Sequence, residues 1–205
     1  MRQLSIIIAK ARVRGFHADL SGVAAVEFAY IAPLLMLMTF GTFEISRALI
    51  AHKRFQRAAA MVGDLVSREE QLGATYPEAK AALDGIMLSA QHIMEPYSST
   101  PLKMAITQLR ASSTDATKTN VEWSYSNNGM PVTNCPLAKN MPASNMITKG
   151  NAAIVVEAQY QYTPLLTNII PGLVKQMNWA DTMTFSPRYG AVFYGQATQN
   201  TTCPL

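Results

Sequence analysis

The chain has 205 residues, 49% hydrophobic and 15% charged, with eleven Pro and eleven Gly. That is one ordinary domain, or a small domain with an anchor, and it excludes a large multidomain enzyme, a disordered chain and a polytopic membrane protein. The net charge of +4 is local: of 17 Lys and Arg and 13 Asp and Glu, the segment before residue 22 holds Arg2, Lys10, Arg12, Arg14 and Asp19, leaving 13 basic against 12 acidic residues beyond it. Such a balance gives no reason to expect a nucleic-acid partner.

The apolar excess is local as well. Val23 to Phe43 reads VAAVEFAYIAPLLMLMTFGTF, about 21 residues with one carboxylate, the length that spans a hydrocarbon core as a helix. A cleaved secretory signal fits less well, because its apolar region is about 7 to 15 residues long and ends in a small-x-small site. Here the run is longer and is followed by Glu44 and Arg47. Flanking charge does not orient the span, since Arg2, Lys10, Arg12 and Arg14 on one side face Arg47, Lys53, Arg54 and Arg57 on the other. The cysteines do better: Cys135 and Cys203 both lie beyond the span. An even pair there suits an oxidising compartment and a disulfide, with two buried thiols as the alternative.

Glu27 is the most informative residue of the span. A carboxylate near the centre of a bilayer costs about 2 to 3 kcal/mol and implies a function and a partner. Five residues before it stands Gly22, behind a basic leader. Cutting after Gly22 would make Val23 a new N-terminus, whose α-amino group, with a reference pKa near 8, is mostly protonated at neutral pH. Residues one and five of the new chain share a helix face, so the amine can meet Glu27 within one helix or across to a neighbouring helix in a bundle. Both pairings stay open at this point.

A basic leader, a Gly, and a Glu at the fifth following position at the head of an apolar helix resemble the type IV prepilin processing site. The stretch Gly22 to Arg47 further resembles the TadE/TadG-like minor pseudopilins of the Tad (tight adherence) system: Glu27 with Phe28, Ala32 with Pro33, then Gly41, Glu44 and Arg47. The resemblance implies processing at Gly22 and Val23 by prepilin peptidase, with Glu27, Phe28 and Pro33 taking part in assembly. It also implies an inner-membrane, single-pass chain with a cytoplasmic N-terminus and a periplasmic head, possible display in the pilus, and work in pilus priming or at the tip. The implied partners are other Tad pilins and minor pseudopilins, the inner-membrane pilus platform and membrane lipid. An uncleaved single-span anchor with a periplasmic binding or sensor domain is the rival.

Helix formers continue past the span, with Ala48, Leu49, Phe55, Ala59, Val62 and Val66 at spacings of mainly three and four, so one helix is expected from Val23 to about Leu72, with Pro33 loosening it near residues 29 to 33. Thr75-Tyr76-Pro77-Glu78 has the form of a capping box opening a second helix to about Glu95. Its inner face would be Leu83, Ile86, Met87, Ala90 and Ile93. Alternation then predicts strands through Leu102, Met104 and Ile106, through Val121, Trp123 and Tyr125, and through Ile154 to Tyr162. A short helix around Leu173 to Met177 and a last strand near Thr182 to Ser186 follow. The expected fold class is α+β: a leader (1–22), a long N-terminal helix (23–72, with 23–43 in the membrane) and a pilin-like head (73–205), its antiparallel sheet packed on one or two helices. A Tyr160 to Leu165 step of the form Tyr-x-Tyr-x-Pro-Leu belongs to the same resemblance.

Catalysis has little support. His17, His52 and His92 lack partners at ligand spacing, and no P-loop, Cys-x-x-Cys or Gly-x-Ser-x-Gly text occurs. No catalytic residue, cofactor or metal site is expected. Glu122, Glu157 and Asp181 are read as strand-face charges rather than a cation site, and Trp123, Tyr125, Tyr160 and Tyr162 as core rather than a ligand platform. Lys53, Arg54 and Arg57 read as a helix face near anionic headgroups.

Overall fold

The protein is described from a computed structural model, which covers residues 22–115, 118–133, 138–139, 147–169 and 175–195. The leader, Leu173 and the Cys135 and Cys203 pair lie outside the described residues. Helix α1 (Val23–Arg68) is continuous over 46 residues, about 69 Å at 1.5 Å per residue. It serves two compact units, whose division falls between Ser46 and Arg47.

In the first unit α1 is apolar and exposed around its circumference, from Val23 through Phe28, Leu34 and Met38 to Phe43. Its hydroxyls do not ask for outside partners. Thr39 Oγ1 donates to the Leu35 carbonyl at 2.8 Å, Thr42 Oγ1 to Met38 at 2.8 Å and Ser46 Oγ to Thr42 at 2.9 Å, each satisfied one turn back within the helix. Pro33 gives no amide hydrogen to the Ala29 carbonyl, yet the helix runs through it unbroken.

In the second unit the same helix turns one stripe to the core: Ala51, Phe55, Ala58, Ala59, Val62 and Val66 are buried. Two expectations shift. Leu49 lies off this stripe and is 59% exposed, because spacings of three and four fix a period but not which neighbouring row faces inward. The helix also ends at Arg68, four residues before Leu72. Leu72 is still buried, in a connection whose amide donates to the Phe193 carbonyl at 3.0 Å.

Helix α2 (Tyr76–Ile93) opens on the expected capping box. The Glu78 amide reaches Thr75 Oγ1 at 3.4 Å while Glu78 Oε2 accepts from the Thr75 amide at 3.2 Å, so two otherwise orphaned donors are used. Ala79, Leu83, Met87 and Ala90 form the buried face, with Ile86 and Ile93 packed at its margin.

Four strands, β1 (Lys103–Ala111), β2 (Thr119–Ser126), β3 (Ala152–Tyr162) and β4 (Met177–Phe185), form one antiparallel sheet in the order β2-β1-β3-β4. Together with the helices this is the expected α+β arrangement. A short helix α3 (Leu165–Ile169) joins β3 to β4. Where a helix was expected around Leu173 to Met177, Met177 instead begins β4, which pairs with β3 over nine registers from Ile154 with Phe185 to Tyr162 with Met177. The start of that strand is polar and weak in β propensity, so its conformation comes from pairing rather than local preference.

The helix-facing side of the sheet carries Met104, Ile106, Trp123, Ile154, Val156, Ala158, Tyr160 and Tyr162 into the main core. The opposite side is also covered, by smaller clusters around Leu109, Val121 and Val155 and around Ala111, Ile147 and Ala153. A register shift between Gln108 and Leu109 sets Glu122 as the extra residue of β2. That bulge turns Val121 to the face opposite Trp123, although simple alternation puts the two together. The segment after β4 is laced onto this core: Trp123 Nε1 donates to the Val192 carbonyl at 2.9 Å, and Gln108 Oε1 accepts from the Val192 amide at 2.8 Å.

Candidate functional site

The candidate processing and assembly residues lie on the first turns of α1. Gly22 precedes the helix, and its carbonyl accepts from the Val26 amide at 3.1 Å, so it supplies the first helical acceptor. A Cβ placed on Gly22 meets nothing within 4 Å. Val23 and Glu27 follow at i and i+4, one turn apart on one face. Glu27 is exposed, and among the described residues no cation pairs with it. Phe28, 65% exposed, and Pro33 are likewise open to whatever surrounds the helix. The site is therefore a bare apolar surface with one carboxylate near its start.

The far end of the apolar surface differs from its appearance in the sequence. Glu44, which seems to close the span with a charge, is only 6% exposed. Arg47 is half-buried, its guanidinium 5.8 Å from the Tyr97 ring centre, while Tyr97 Oη donates to the Arg47 carbonyl at 3.1 Å. Of the basic cluster read as a headgroup face, Arg54 has another task. It donates to the Ile93 carbonyl at 3.1 Å and to the Glu95 carbonyl, satisfying the last carbonyl of α2 and one just beyond its end. Lys53 and Arg57 remain exposed. Periodicity could not have separated Arg54 from them, because its partners are 39 and 41 residues away.

The three strand carboxylates of the head are each engaged in a separate small contact. Glu122 takes Arg110 and, at 2.6 Å, the Gln108 amide; Glu157 takes Lys139 at 2.5 Å; Asp181 faces Gln56 at 3.4 Å. The three carboxylates do not gather, and no group of metal-ligating side chains occurs among the described residues. His52 packs edge-on to Trp179 with ring centres 4.9 Å apart, and His92 pairs with Glu95 at 3.1 Å. Trp123, Tyr160 and Tyr162 are buried in the core and Tyr125 lies at its margin.

One pair ties α2 to β2. Lys80 Nζ stands 2.8 Å from Asp84, and Tyr125 Oη donates to the same carboxylate. The Lys80 hydrogen bond, then that of Tyr125, holds the Asp84 carboxyl below its ordinary value of 3.8. A depressed carboxyl stabilises the fold above that ordinary value and loses its effect as pH falls through the folded-state value. Tyr125→Phe is therefore expected to move the Asp84 titration upward in a carboxyl NMR titration, and to remove a small part of the stability present at neutral pH, the difference from the wild type vanishing as pH falls through the folded-state value. An unmoved Asp84 titration would show that the Tyr125 bond has no electrostatic role.

Residues 23–43 of α1 form an apolar helical stretch exposed around its circumference, a surface suited to lipid or to other helices. Helix α1 is the one helix among the described residues long and apolar enough to cross a membrane, consistent with a single-pass protein. Residues 22–64 match the family model described as TadE-like protein; over that stretch the chain is similar to TadE-like proteins, a likeness that points to association with a Tad pilus. No curated protein and no solved structure matches the chain. The matched stretch starts at Gly22 and takes in Glu27, Phe28, Pro33 and the core stripe of α1 from Ala51 to Val62, ending at Asp64.

Proposed function

We propose that the chain is a minor pseudopilin of a Tad-type pilus and secretion machine, cut after Gly22 by prepilin peptidase and recruited through α1 into the priming or tip complex. In this reading residues 1–22 are the leader, Val23 to Phe43 lie in the inner membrane, and the head, closed by a Cys135–Cys203 disulfide, is periplasmic until the filament draws it out. The partners are prepilin peptidase, the other Tad pilins and minor pseudopilins, and the inner-membrane platform. The observation that carries it is the coincidence of three starts: the helix begins at Val23, the family match begins at Gly22, and the sole carboxylate of the exposed apolar turns stands one turn in, at Glu27.

Cleavage there exchanges a neutral cap for a charge. The Gly22 carbonyl leaves with the leader, and an ammonium takes its place at the end of the helix where the dipole is already positive. Glu27 offsets that ammonium, within its own helix or from a neighbour's. The test is N-terminal sequencing and intact mass of the protein recovered from membranes, with and without prepilin peptidase. The expected mature chain starts at Val23, and Gly22→Val blocks it; the open surroundings of Gly22 mean that this variant leaves the helix intact. A start at Met1 in the presence of the peptidase would overturn the reading in favour of an uncleaved anchor.

A further inference from the structure

The face of the sheet opposite the helices changes character along β3. Ala158, Tyr160 and Tyr162 enter the main core, so the alternate residues Val155, Glu157, Gln159 and Gln161 line the other side. Val155 is buried there with Leu109 and Val121, and Glu157 is answered by Lys139. Beyond them the register sets Lys103 and Ala180 on either side of Gln159, and Asn178 beside Gln161. All five of these side chains are exposed. Ala180 is the one short side chain of the set, and together with Pro101 the five bound a groove of about 470 Å³. Its four polar side chains, Lys103, Gln159, Gln161 and Asn178, have no hydrogen-bond or ion-pair partner among the described residues.

We propose that this groove binds an acidic saccharide, with Lys103 on its carboxylate and Gln159, Gln161 and Asn178 on its hydroxyls. The occupant follows from the chemistry of the lining. Each amide offers an acceptor oxygen and two N–H donors, so it matches a hydroxyl, which is itself donor and acceptor. An apolar ligand would strip these groups of water and leave them unpaired. A phosphate would use only the donors and leave the amide oxygens facing an anion. One lysine, with the nearby Glu157 already paired, answers one negative charge, and a carboxylate gives it a charge-assisted bond. The groove lies within the range of small-molecule sites, about 300 to 1,000 Å³. It belongs wholly to the head, so it stands whether or not the leader is removed.

The experiment uses the full chain in phosphatidylcholine nanodiscs, which present no sugar of their own. Cellobiouronate, its neutral counterpart cellobiose and inorganic phosphate are titrated in turn, and the two sugars are read by saturation-transfer difference NMR. Cellobiouronate should bind with a Kd on the order of 1 mM, and cellobiose about tenfold more weakly, the worth of one hydrogen bond to a charged group. Lys103→Gln should bring cellobiouronate to the level of cellobiose and leave cellobiose unmoved. Gln159→Ala with Gln161→Ala should weaken both sugars about tenfold. Ala180→Ile puts a residue suited to a strand into the groove, so it should abolish binding. Since all these positions are exposed, the variants should keep the wild-type thermal transition of the head. No transfer to cellobiouronate at about 10 mM overturns the proposal. Binding that survives Ala180→Ile in the folded chain also overturns it, by placing the sugar elsewhere. Displacement of cellobiouronate by an equal concentration of phosphate would reduce the site to a point for any anion and overturn the saccharide assignment.

Discussion

Glu27→Gln is expected to yield a chain that is still cut after Gly22 but is no longer recruited into the pilus. The substitution keeps the size and most of the hydrogen-bonding capacity of the side chain and removes only its charge. In a bundle of apolar helices that charge answers the ammonium of Val23, and removing one member of a buried pair costs about 3 to 5 kcal/mol because the other charge is left alone. Every 1.4 kcal/mol is tenfold in occupancy, so incorporation should fall by about a hundredfold or more. The measurement is the ratio of the processed chain in sheared pili or cross-linked priming complex to that in membranes, with intact mass confirming the cut. Glu27→Asp should recover part of the loss, since a shorter carboxylate keeps the charge. Wild-type incorporation of the Gln variant would leave the pairing without a role, and a failure of cleavage would move Glu27 from assembly to peptidase recognition.

Features set by neighbours in the chain were legible in advance. The capping box at Thr75 and Glu78, the alternation of β3 and the apolar run from Val23 are each written within a few residues, and each occurs where expected. Features set by distant partners were not. Glu44 and Arg47 look in the sequence like the charged close of a span, and their burial or partial burial is visible only once the helix is folded. Leu49 and Phe55 fit one helical period equally well, and only the sheet beneath selects Phe55. The bulge at Glu122 turns Val121 away from Trp123 without any turn residue to announce it. The first half of β4 and the strap at Val192 gain their geometry from β3, Gln108 and Trp123. At the candidate site, Glu27 was conspicuous because a carboxylate in an apolar run is costly, whereas Lys53 and Arg57 could not be told from Arg54.

Gly63 offers a test of the helix-to-sheet packing in which the sign of one substitution reverses with its neighbour. The residue is buried within α1, and a Cβ added there would overlap the ring of Phe185 at the end of β4. Taken alone, Gly to Ala inside a helix gains about 1 kcal/mol from backbone entropy. Overpacking a well-filled site costs about 1 to 3 kcal/mol, because the ring must move and its strand with it. For Gly63→Ala the overlap wins and the head loses about 1 to 2 kcal/mol; for Gly63→Val the extra methyls and poorer propensity take the loss to about 3 kcal/mol or more. Phe185→Ala also destabilises, through lost apolar contact, but it empties the space a Cβ needs. In that background Gly63→Ala is expected to stabilise the head, by up to about 1 kcal/mol. Urea unfolding of the four chains in detergent, followed by near-ultraviolet circular dichroism of the Trp and Tyr cluster, gives the coupling. A Gly63→Ala effect of the same sign in both backgrounds would mean that Phe185 is not what requires glycine, and that α1 and β4 approach less closely than the structure places them.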